Sequence, residues 1–287
     1  MRSPTLRRRA ALGVGCAQLL SPPAAWPATP NIATPKRCLV AGATGRTGAL
    51  VLAQLALAEY TAVAEIRSDA SKSRLPRDVD TLTFDLADED SAIPDLDGIT
   101  DVIDAAGFKP TMIPEQDRAL ARAVDYDGTL RLIAAAERAR LPGRFVLVSS
   151  LGVNATSASA KLLDESLGNV LAQKYKAEVA LRRSRLDWCI VRPGLLLKEK
   201  TQGGVLLGPA DRWVGDAERD RAGLGGPVKC ASPFLASSGA VCAATRAQVA
   251  SVCVAALDAK SARFSRRVVE VVARPDVPVD GAFVEVR

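Results

Sequence analysis

The stretch Val40-Ala-Gly-Ala-Thr-Gly-Arg-Thr-Gly48 decides how this chain is expected to fold. It follows an apolar run at 37–41, typical of a buried strand, and precedes an alanine- and leucine-rich run at 49–58, typical of a helix. Glycines in the spacing G-x-x-G-x-x-G allow a tight strand-to-helix turn, and the N–H groups at the start of the helix attract a diphosphate. The predicted dinucleotide-binding residues of this loop are Gly42, Ala43, Thr44, Gly45, Arg46, Thr47 and Gly48.

The rest of the chain continues the alternation of strand and helix. Further strands are predicted at 61–67, 81–85, 99–106, 144–149, 187–192 and 267–273, and further helices at 115–140, 166–184 and 245–260. Because the strands are continuous apolar runs, they indicate a parallel sheet that is buried on both faces. We therefore predict an α/β, Rossmann-type doubly wound parallel sheet in one domain over 36–287. Its glycine- and proline-rich part at 195–240 is predicted to form a small, loop-rich substrate region.

Composition and charge exclude several classes of protein. The net charge is +6, but residues 1–37 contain six of the 38 basic residues and no acidic residue. The rest of the chain has 32 basic and 32 acidic residues and is formally neutral. A nucleic-acid-binding surface therefore has no support from net charge. No apolar stretch approaches the ~18–20 residues that span a bilayer. The absence of histidine excludes histidine-based catalysis, and six cysteines without a C-x-x-C pair predict no metal site.

Residues 1–35 have the composition of a targeting leader, expected to be disordered or cleaved. They contain arginine, alanine, serine and proline but no acid, and Arg7-Arg8-Arg9 precedes a short apolar run at 10–20. Organelle leaders and export signals share this pattern. We predict a plastid protein of the stroma or thylakoid, with the mitochondrion or export as the alternatives.

The chain resembles the atypical short-chain dehydrogenase/reductases from about residue 37 to about residue 273. The resemblance is carried by the glycine stretch, by Lys174-Tyr-Lys-Ala-Glu178 and by Leu186-Asp-Trp-Cys-Ile-Val-Arg-Pro-Gly194. Within that family it is similar to the plant and cyanobacterial NAD(P)-binding branch, which includes flavin/biliverdin-reductase-like proteins and the redox-responsive subunit of the plastid import machinery. The resemblance implies that the cofactor is also contacted by Asp85, Leu86, Ala105, Ala106, Gly107, Lys174 and Pro193.

The end of the second strand bears on the choice of cofactor. Arg67 lies there, followed by Ser68, Lys72 and Arg74. A guanidinium suits the 2′-phosphate of NADP(H), so NADP(H) is favoured over NAD(H). A preference for NAD(H) stays open because of Glu65 and Asp69, since a shifted strand end would place one of these acids at the ribose.

The resemblance also implies a catalytic tyrosine four residues before the lysine, but that position is Val170. Tyr175 is no substitute, because adjacent helical residues point about 100° apart. Tyr126, on the predicted central helix, either approaches the site or packs. A hydroxyl near the substrate is expected from Ser150 or its neighbour Ser149, and Lys174 with Ser150 are the predicted catalytic residues.

Two functions fit these observations. The first is an NADPH-dependent reductase of a conjugated small-molecule acceptor, such as a flavin, quinone or open-chain tetrapyrrole. The second is a catalytically silent NADP(H)-binding scaffold or redox sensor for an organellar membrane complex or its assembly, with organellar protein partners. The missing tyrosine agrees with both.

Overall fold

The structure is a computed structural model that describes residues 36–154, 158–197, 204–210, 243–274 and 284–285. The predicted leader and most of the predicted substrate region lie outside these residues. The strands are β1 (Arg37–Ala41), β2 (Thr61–Ile66), β3 (Asp80–Thr83), β4 (Asp101–Asp104), β5 (Arg144–Val148), β6 (Asp187–Pro193), β7 (Leu195–Leu197), β8 (Gly204–Pro209), β9 (Ala243–Thr245), β10 (Arg267–Arg274) and β11 (Val284–Glu285). The α-helices are α1 (Gly48–Leu57), α2 (Pro114–Arg122), α3 (Thr129–Arg138), α4 (Ala158–Ser166), α5 (Val170–Arg183) and α6 (Arg246–Ala255).

The main sheet has the strand order β11-β8-β10-β6-β5-β4-β1-β2-β3. Strands β3, β2, β1, β4, β5, β6 and β10 run parallel, whereas β8 is antiparallel to β10. Val40 of β1 pairs with Ala64 on one side and with Ile103 on the other. Successive strands extend outward from β1 in one direction and from β4 in the other, which is the doubly wound order. The predicted fold class is confirmed.

A hydrophobic core covers each face of the sheet. On one face, Val51 and Leu55 of α1 pack with Val249 of α6 against the strands. On the other, Leu132 of α3 and Leu181 of α5 do the same. Each fully buried aliphatic side chain of this kind contributes about 1.5–3 kcal/mol of hydrophobic free energy. The two cores hold the strands rigidly, so their carboxyl ends form a fixed edge.

Two of the predicted helices differ from the observed ones. The one expected at 115–140 is α2, a π-helical turn at Ala123–Gly128, and α3. At Gly128 an added Cβ would lie 2.5 Å from the carbonyl oxygen of Leu86, so the turn lies directly against the segment that follows β3. The helix expected at 166–184 is α5, which begins only after Gly168 and Asn169, two residues with positive φ angles. The preceding helix α4 lies outside every predicted helix except for its last residue, Ser166.

The remaining differences from prediction are small. A 3₁₀ helix occupies Asp69–Arg74 after β2, and β7 and β8 lie in the part of 195–240 that the structure describes. Across the described residues, every helix is too short or too polar to cross a bilayer.

Candidate functional site

The glycine loop lies between the carboxyl ends of β1 and β4, where the winding of the sheet changes direction. Gly42 has a φ of 70°, and an added Cβ would lie 2.7 Å from the Cα of Ala106. Gly45 N–H donates to the Gly42 carbonyl over 2.9 Å, which closes the turn. A Cβ on Gly48 would overlap that same carbonyl oxygen. The close approach of these backbones therefore requires glycine at both 42 and 48.

The outer side of this loop is suited to an anion. Gly45 and Arg46 are exposed, and the first turn of α1 contains no acidic residue. The N-terminal end of a helix carries a partial positive charge and favours negatively charged groups. The loop therefore fits the diphosphate of a dinucleotide.

A buried carboxylate reaches this loop from the neighbouring strand. Glu65 of β2 is 6% exposed, and its Oε2 accepts a hydrogen bond of 2.8 Å from Gly42 N–H. Burial, with a further contribution from Asp85, raises the pKa of Glu65 to about 7 against the lowering effect of that hydrogen bond. Arg67, by contrast, is exposed beyond the strand end. At the end of β2, Glu65 rather than Arg67 is therefore the side chain that contacts the glycine loop.

The segment after β3 is fixed by an arginine that sequence reasoning missed. Arg131 of α3 donates to the carbonyl oxygens of Asp85, Leu86 and Ser91 over 2.7–3.0 Å. The carboxylate of Asp85 in turn accepts from Ala87 N–H over 2.8 Å. The positions of Asp85 and Leu86 therefore depend on Arg131. A guanidinium has several donors in a fixed geometry, so it can hold several carbonyls at once.

Lys174 of α5 is bound by groups of the protein itself. Its Nζ lies 2.8 Å from Oδ1 of Asp125 and donates to the Val148 carbonyl over 3.2 Å. The side chain of Asp125 is fully buried. Burial alone would lower the pKa of Lys174, but the charge and hydrogen bond of Asp125 outweigh it and the pKa is raised. Lys174 is therefore a fixed positive charge at the carboxyl end of β5.

Two buried acids hold the loop after β4. Asp104 accepts from Ala106 N–H over 3.1 Å and from the Thr129 hydroxyl over 2.9 Å. Asp125, in the π-helical turn, accepts from Phe108 N–H over 3.0 Å. The predicted residues Ala105, Ala106 and Gly107 thus lie on a loop fixed at both ends. Sequence reasoning missed both acids.

The tyrosines and Val170 occupy separate surroundings. Val170 is the first residue of α5, one turn before Lys174. Tyr126 packs against the core, and the Lys176 ammonium lies 5.7 Å from its ring centroid. Tyr175 is 37% exposed, and the Tyr60 hydroxyl donates to the Leu257 carbonyl. In the described residues, Lys174 forms an ion pair with Asp125 and a hydrogen bond to the Val148 carbonyl rather than a contact with a phenol.

The two serines after β5 differ in their surroundings. The Ser149 hydroxyl is buried and donates to Glu178 over 2.6 Å, and Glu178 also pairs with the buried Arg192 at 2.7 Å. Ser150 is half-buried and donates to the Leu151 carbonyl over 3.1 Å. Leu151 N–H is bonded to the carbonyl of Pro193 over 2.9 Å, so the ends of β5 and β6 are joined here. Of the two, Ser150 is the more accessible hydroxyl.

Thiols and metal ligands do not contribute to this region in the part of the chain that the structure describes. Cys38, Cys189 and Cys253 are buried and free. Burial raises the pKa of Cys189 to about 12, so it stays a thiol. No group of three histidine, cysteine or carboxylate side chains among the described residues could hold a metal ion.

Comparison with known sequences places this geometry among dinucleotide-binding proteins. The profile of the NAD(P)H-binding family matches residues 42–225. An uncharacterized chloroplast protein of Arabidopsis thaliana is 32% identical over 202 residues, covering 66% of this chain and 70% of that protein. The chloroplast Protein TIC 62 of Oryza sativa is 32% identical over 218 residues, covering 67% of this chain. The match spans only 43% of the length of the rice protein.

Solved structures with the same fold include two bacterial proteins. An oxidoreductase from Lactococcus lactis superposes with a TM-score of 0.58 at 20% identity, covering 85% of this chain and 92% of that chain. The anaerobillin reductase ChuY from Escherichia coli O157:H7 superposes with a TM-score of 0.54 at 23% identity, covering 84% and 98%. At these identities the likeness shows the fold.

Proposed function

Since the chain belongs to the NAD(P)H-binding family, we propose that it is an NADPH-dependent reductase that works without a tyrosine acid. The observation that carries this proposal is the pairing of Lys174 with the buried Asp125, one turn after Val170. A lysine that stays charged can position a cofactor ribose, whereas the residue one turn earlier has no proton to give. The expected substrate is one whose reduction needs no dedicated acid.

The cofactor would be held along the carboxyl edge of the sheet. The glycine loop would take the diphosphate, and Arg67 the 2′-phosphate. Asp85 and Leu86 would contact the adenine, while Ala105, Ala106 and Gly107 would lie beneath the cofactor. Lys174 would bind the nicotinamide ribose, and Pro193 would border the nicotinamide. The support is that hydrogen bonds within the protein hold two of these segments: Arg131 holds the one with Asp85 and Leu86, and Asp104 and Asp125 hold the loop after β4.

When bound, the reduced nicotinamide supplies a hydride. Lys174 keeps its proton, because Asp125 raises its pKa, and it therefore acts as a charge rather than as an acid. Ser150 is the hydroxyl proposed to orient the acceptor, and the proton comes from solvent or from the acceptor itself. A flavin, a quinone or an open-chain tetrapyrrole spreads the added charge over a conjugated system. A simple ketone cannot, and loses the ~10²–10⁴-fold in rate that a general acid provides.

The direct test is NADPH oxidation by the full chain with a quinone, a flavin, a biliverdin and a small ketone in parallel. The proposal predicts turnover with at least one conjugated acceptor and little with the ketone. A preference for the ketone would refute it. The variant Ser150→Ala tests the role of Ser150 and should lower turnover. Ser184→Ala is the control and should not, because Ser184 donates to the Leu181 carbonyl at the far end of α5.

A second function is a cofactor-binding scaffold or redox sensor without turnover. Its support is Val170, one turn before Lys174, because a protein that performs no reduction needs no acid at that position. Native mass spectrometry of the purified protein distinguishes the two. Bound dinucleotide together with partner subunits, and no oxidation by any acceptor, would favour the scaffold.

We further propose that residues 1–35 are a leader that directs the protein to the plastid. The support is the leader's composition and the chloroplast location stated for its relatives. A fluorescent fusion to the full chain, with N-terminal sequencing of the mature form, tests this. Fluorescence in the mitochondrion, or secretion, would contradict it.

A further inference from the structure

Glu178 is a fully buried carboxylate on α5, one turn after Lys174. The guanidinium of Arg192 holds both of its oxygens, with Nε donating to Oε1 over 2.8 Å and Nη2 to Oε2 over 2.7 Å. Arg182 also donates to Oε2 over 2.6 Å. Two arginines therefore satisfy the charge of Glu178, as a carboxylate removed from water requires.

A third donor to this carboxylate comes from the carboxyl end of β5. The Ser149 hydroxyl donates to Oε1 of Glu178 over 2.6 Å, and Ser149 itself is buried. Hydrogen bonds to a carboxylate are short and strong, and the low dielectric of the interior strengthens them further. Because Arg192 already neutralises Glu178, the bond from Ser149 is not needed to balance the charge. Its effect is to fix the backbone that follows β5 relative to α5.

Ser150 lies between two residues that the fold holds in place. Before it, Ser149 is bonded through its hydroxyl to α5 and through its N–H to the Val191 carbonyl of β6 over 2.8 Å. After it, Leu151 N–H donates to the Pro193 carbonyl over 2.9 Å. The hydroxyl of Ser150 is half-buried and bonded to the neighbouring Leu151 carbonyl over 3.1 Å. Its direction therefore depends on how firmly its two neighbours are held.

Arg192 extends this buried unit toward the proposed nicotinamide site. It is 1% exposed and precedes Pro193, which is proposed to border the nicotinamide. On α5, Glu178 lies one turn from Lys174, which is proposed to bind the nicotinamide ribose. A buried ion pair is weak evidence for stability, because the loss of hydration offsets the attraction. What Glu178 does supply is a rigid connection between the segments that carry the proposed contacts.

We propose that Glu178 is a positioning residue, which acts through Ser149 to orient the Ser150 hydroxyl toward the acceptor. Glu178 is buried, so it works by fixing the backbone after β5 rather than by touching the cofactor or the acceptor. The inference rests on the proposed reductase function. Loss of the bond from Ser149 leaves Glu178 paired with both arginines but loosens the backbone before Ser150. The reduction then slows, whereas the binding of NADPH stays the same.

The experiment measures kcat and the KM for NADPH in the full chain, with the conjugated acceptor that the wild type reduces fastest. Ser149→Ala removes one hydrogen bond and keeps both ion pairs of Glu178, so the chain is expected to fold. Its kcat should fall about tenfold at an unchanged KM for NADPH, since a slight misplacement of a reacting group costs up to ~10²-fold in rate. Arg182→Gln is the matched control. It removes an equally short bond to the same carboxylate without touching Ser149, and it should keep the wild-type kcat.

The double variant Ser149→Ala with Ser150→Ala separates positioning from structural support. If Ser149 acts through Ser150, its loss has no further effect once the Ser150 hydroxyl is gone. The double variant should therefore match the kcat of Ser150→Ala within about twofold, which is the non-additivity expected of coupled residues. Losses that multiply in the double variant, an unchanged kcat in Ser149→Ala, or an equal fall in Arg182→Gln would each overturn the role of Glu178 while leaving the reductase function intact. A wild-type chain that binds NADPH but reduces no acceptor would refute the proposed function and this inference together.

Discussion

The ammonium of Lys174 lies 2.8 Å from the carboxylate of Asp125, which is buried in a π-helical turn between α2 and α3. This pair joins α5 to the loop after β4, since Asp125 also accepts from Phe108 N–H. Lys174, which is expected to anchor the cofactor, thus also helps to hold the loop after β4 through Asp125. Its charge is fixed by the fold rather than by a ligand.

Replacing Lys174 by methionine should destabilise the protein by about 3–5 kcal/mol, because it leaves Asp125 buried without its cation. The double variant Lys174→Met with Asp125→Asn should regain much of this loss, since the amide carries no charge. Urea unfolding of both proteins measures the difference. Equal stability of the single and double variants would show that the pair is not coupled.

Val170→Tyr places a phenol one turn before Lys174. We expect ketone reduction to rise at least about tenfold relative to flavin reduction, because a general acid typically contributes 10²–10⁴-fold. Val170→Phe is the matched control, since it adds the ring without the hydroxyl. Steady-state rates with both acceptors give the comparison. The same ratio in both variants would mean that the phenol does not reach the acceptor.

The sequence predicted the fold well because its signals are local. The glycine loop and the apolar strands are marked by neighbouring residues, and β1, α1 and β6 begin and end within one residue of expectation, whereas α6 ends at Ala255, five residues before the predicted end. The π-helical turn and the break at Gly168 are not marked in this way, because both depend on what lies against them. Gly128, for example, lies against the Leu86 carbonyl, 42 residues earlier in the chain.

The candidate site could be read from the sequence only where its signals are local. Gly42 and Lys174 follow from motifs, whereas Asp125 and Arg131 act on residues far away in the sequence. The hydrogen bond from Arg131 to Asp85 spans 46 positions. The orientation of Glu65 toward Gly42 depends on where β2 ends, and a shift of one residue would turn the side chain to the other face of the sheet.

Arg131→Lys should weaken NADPH binding about tenfold, because an ammonium cannot hold three carbonyls in the geometry of the guanidinium. Binding of reduced nicotinamide mononucleotide, which lacks adenosine, should not change. Arg138→Lys, at an exposed position of the same helix, is the control. Weaker binding of both ligands would indicate a general loss of structure instead of a looser adenine segment.

The raised pKa of Glu65 also affects stability. Its pKa in the folded protein, about 7, exceeds the ordinary value of 4.5, so the folded state holds this proton longer than the unfolded state. The contribution of Glu65 to the free energy of unfolding therefore falls by on the order of 3 kcal/mol as pH rises from about 4.5 to about 7, and it stays low above that. Glu65→Gln should be more stable than wild type at about pH 8, and this gain in stability should be much smaller at about pH 4. Denaturant unfolding at both pH values checks this, and an unchanged difference would contradict it.

The most direct test of the account is the affinity of NADPH for Gly45→Asp compared with Gly45→Asn. Gly45 is exposed and has no positive φ, and in both variants the added Cβ meets the Gly42 carbonyl oxygen at 3.0 Å, so the two share the same steric cost. An acid near a helix N-terminus is compatible with folding but repels a diphosphate. The account predicts that the aspartate variant remains folded and binds NADPH at least about tenfold more weakly than the asparagine variant. Equal affinities in the two would contradict a diphosphate site at this loop.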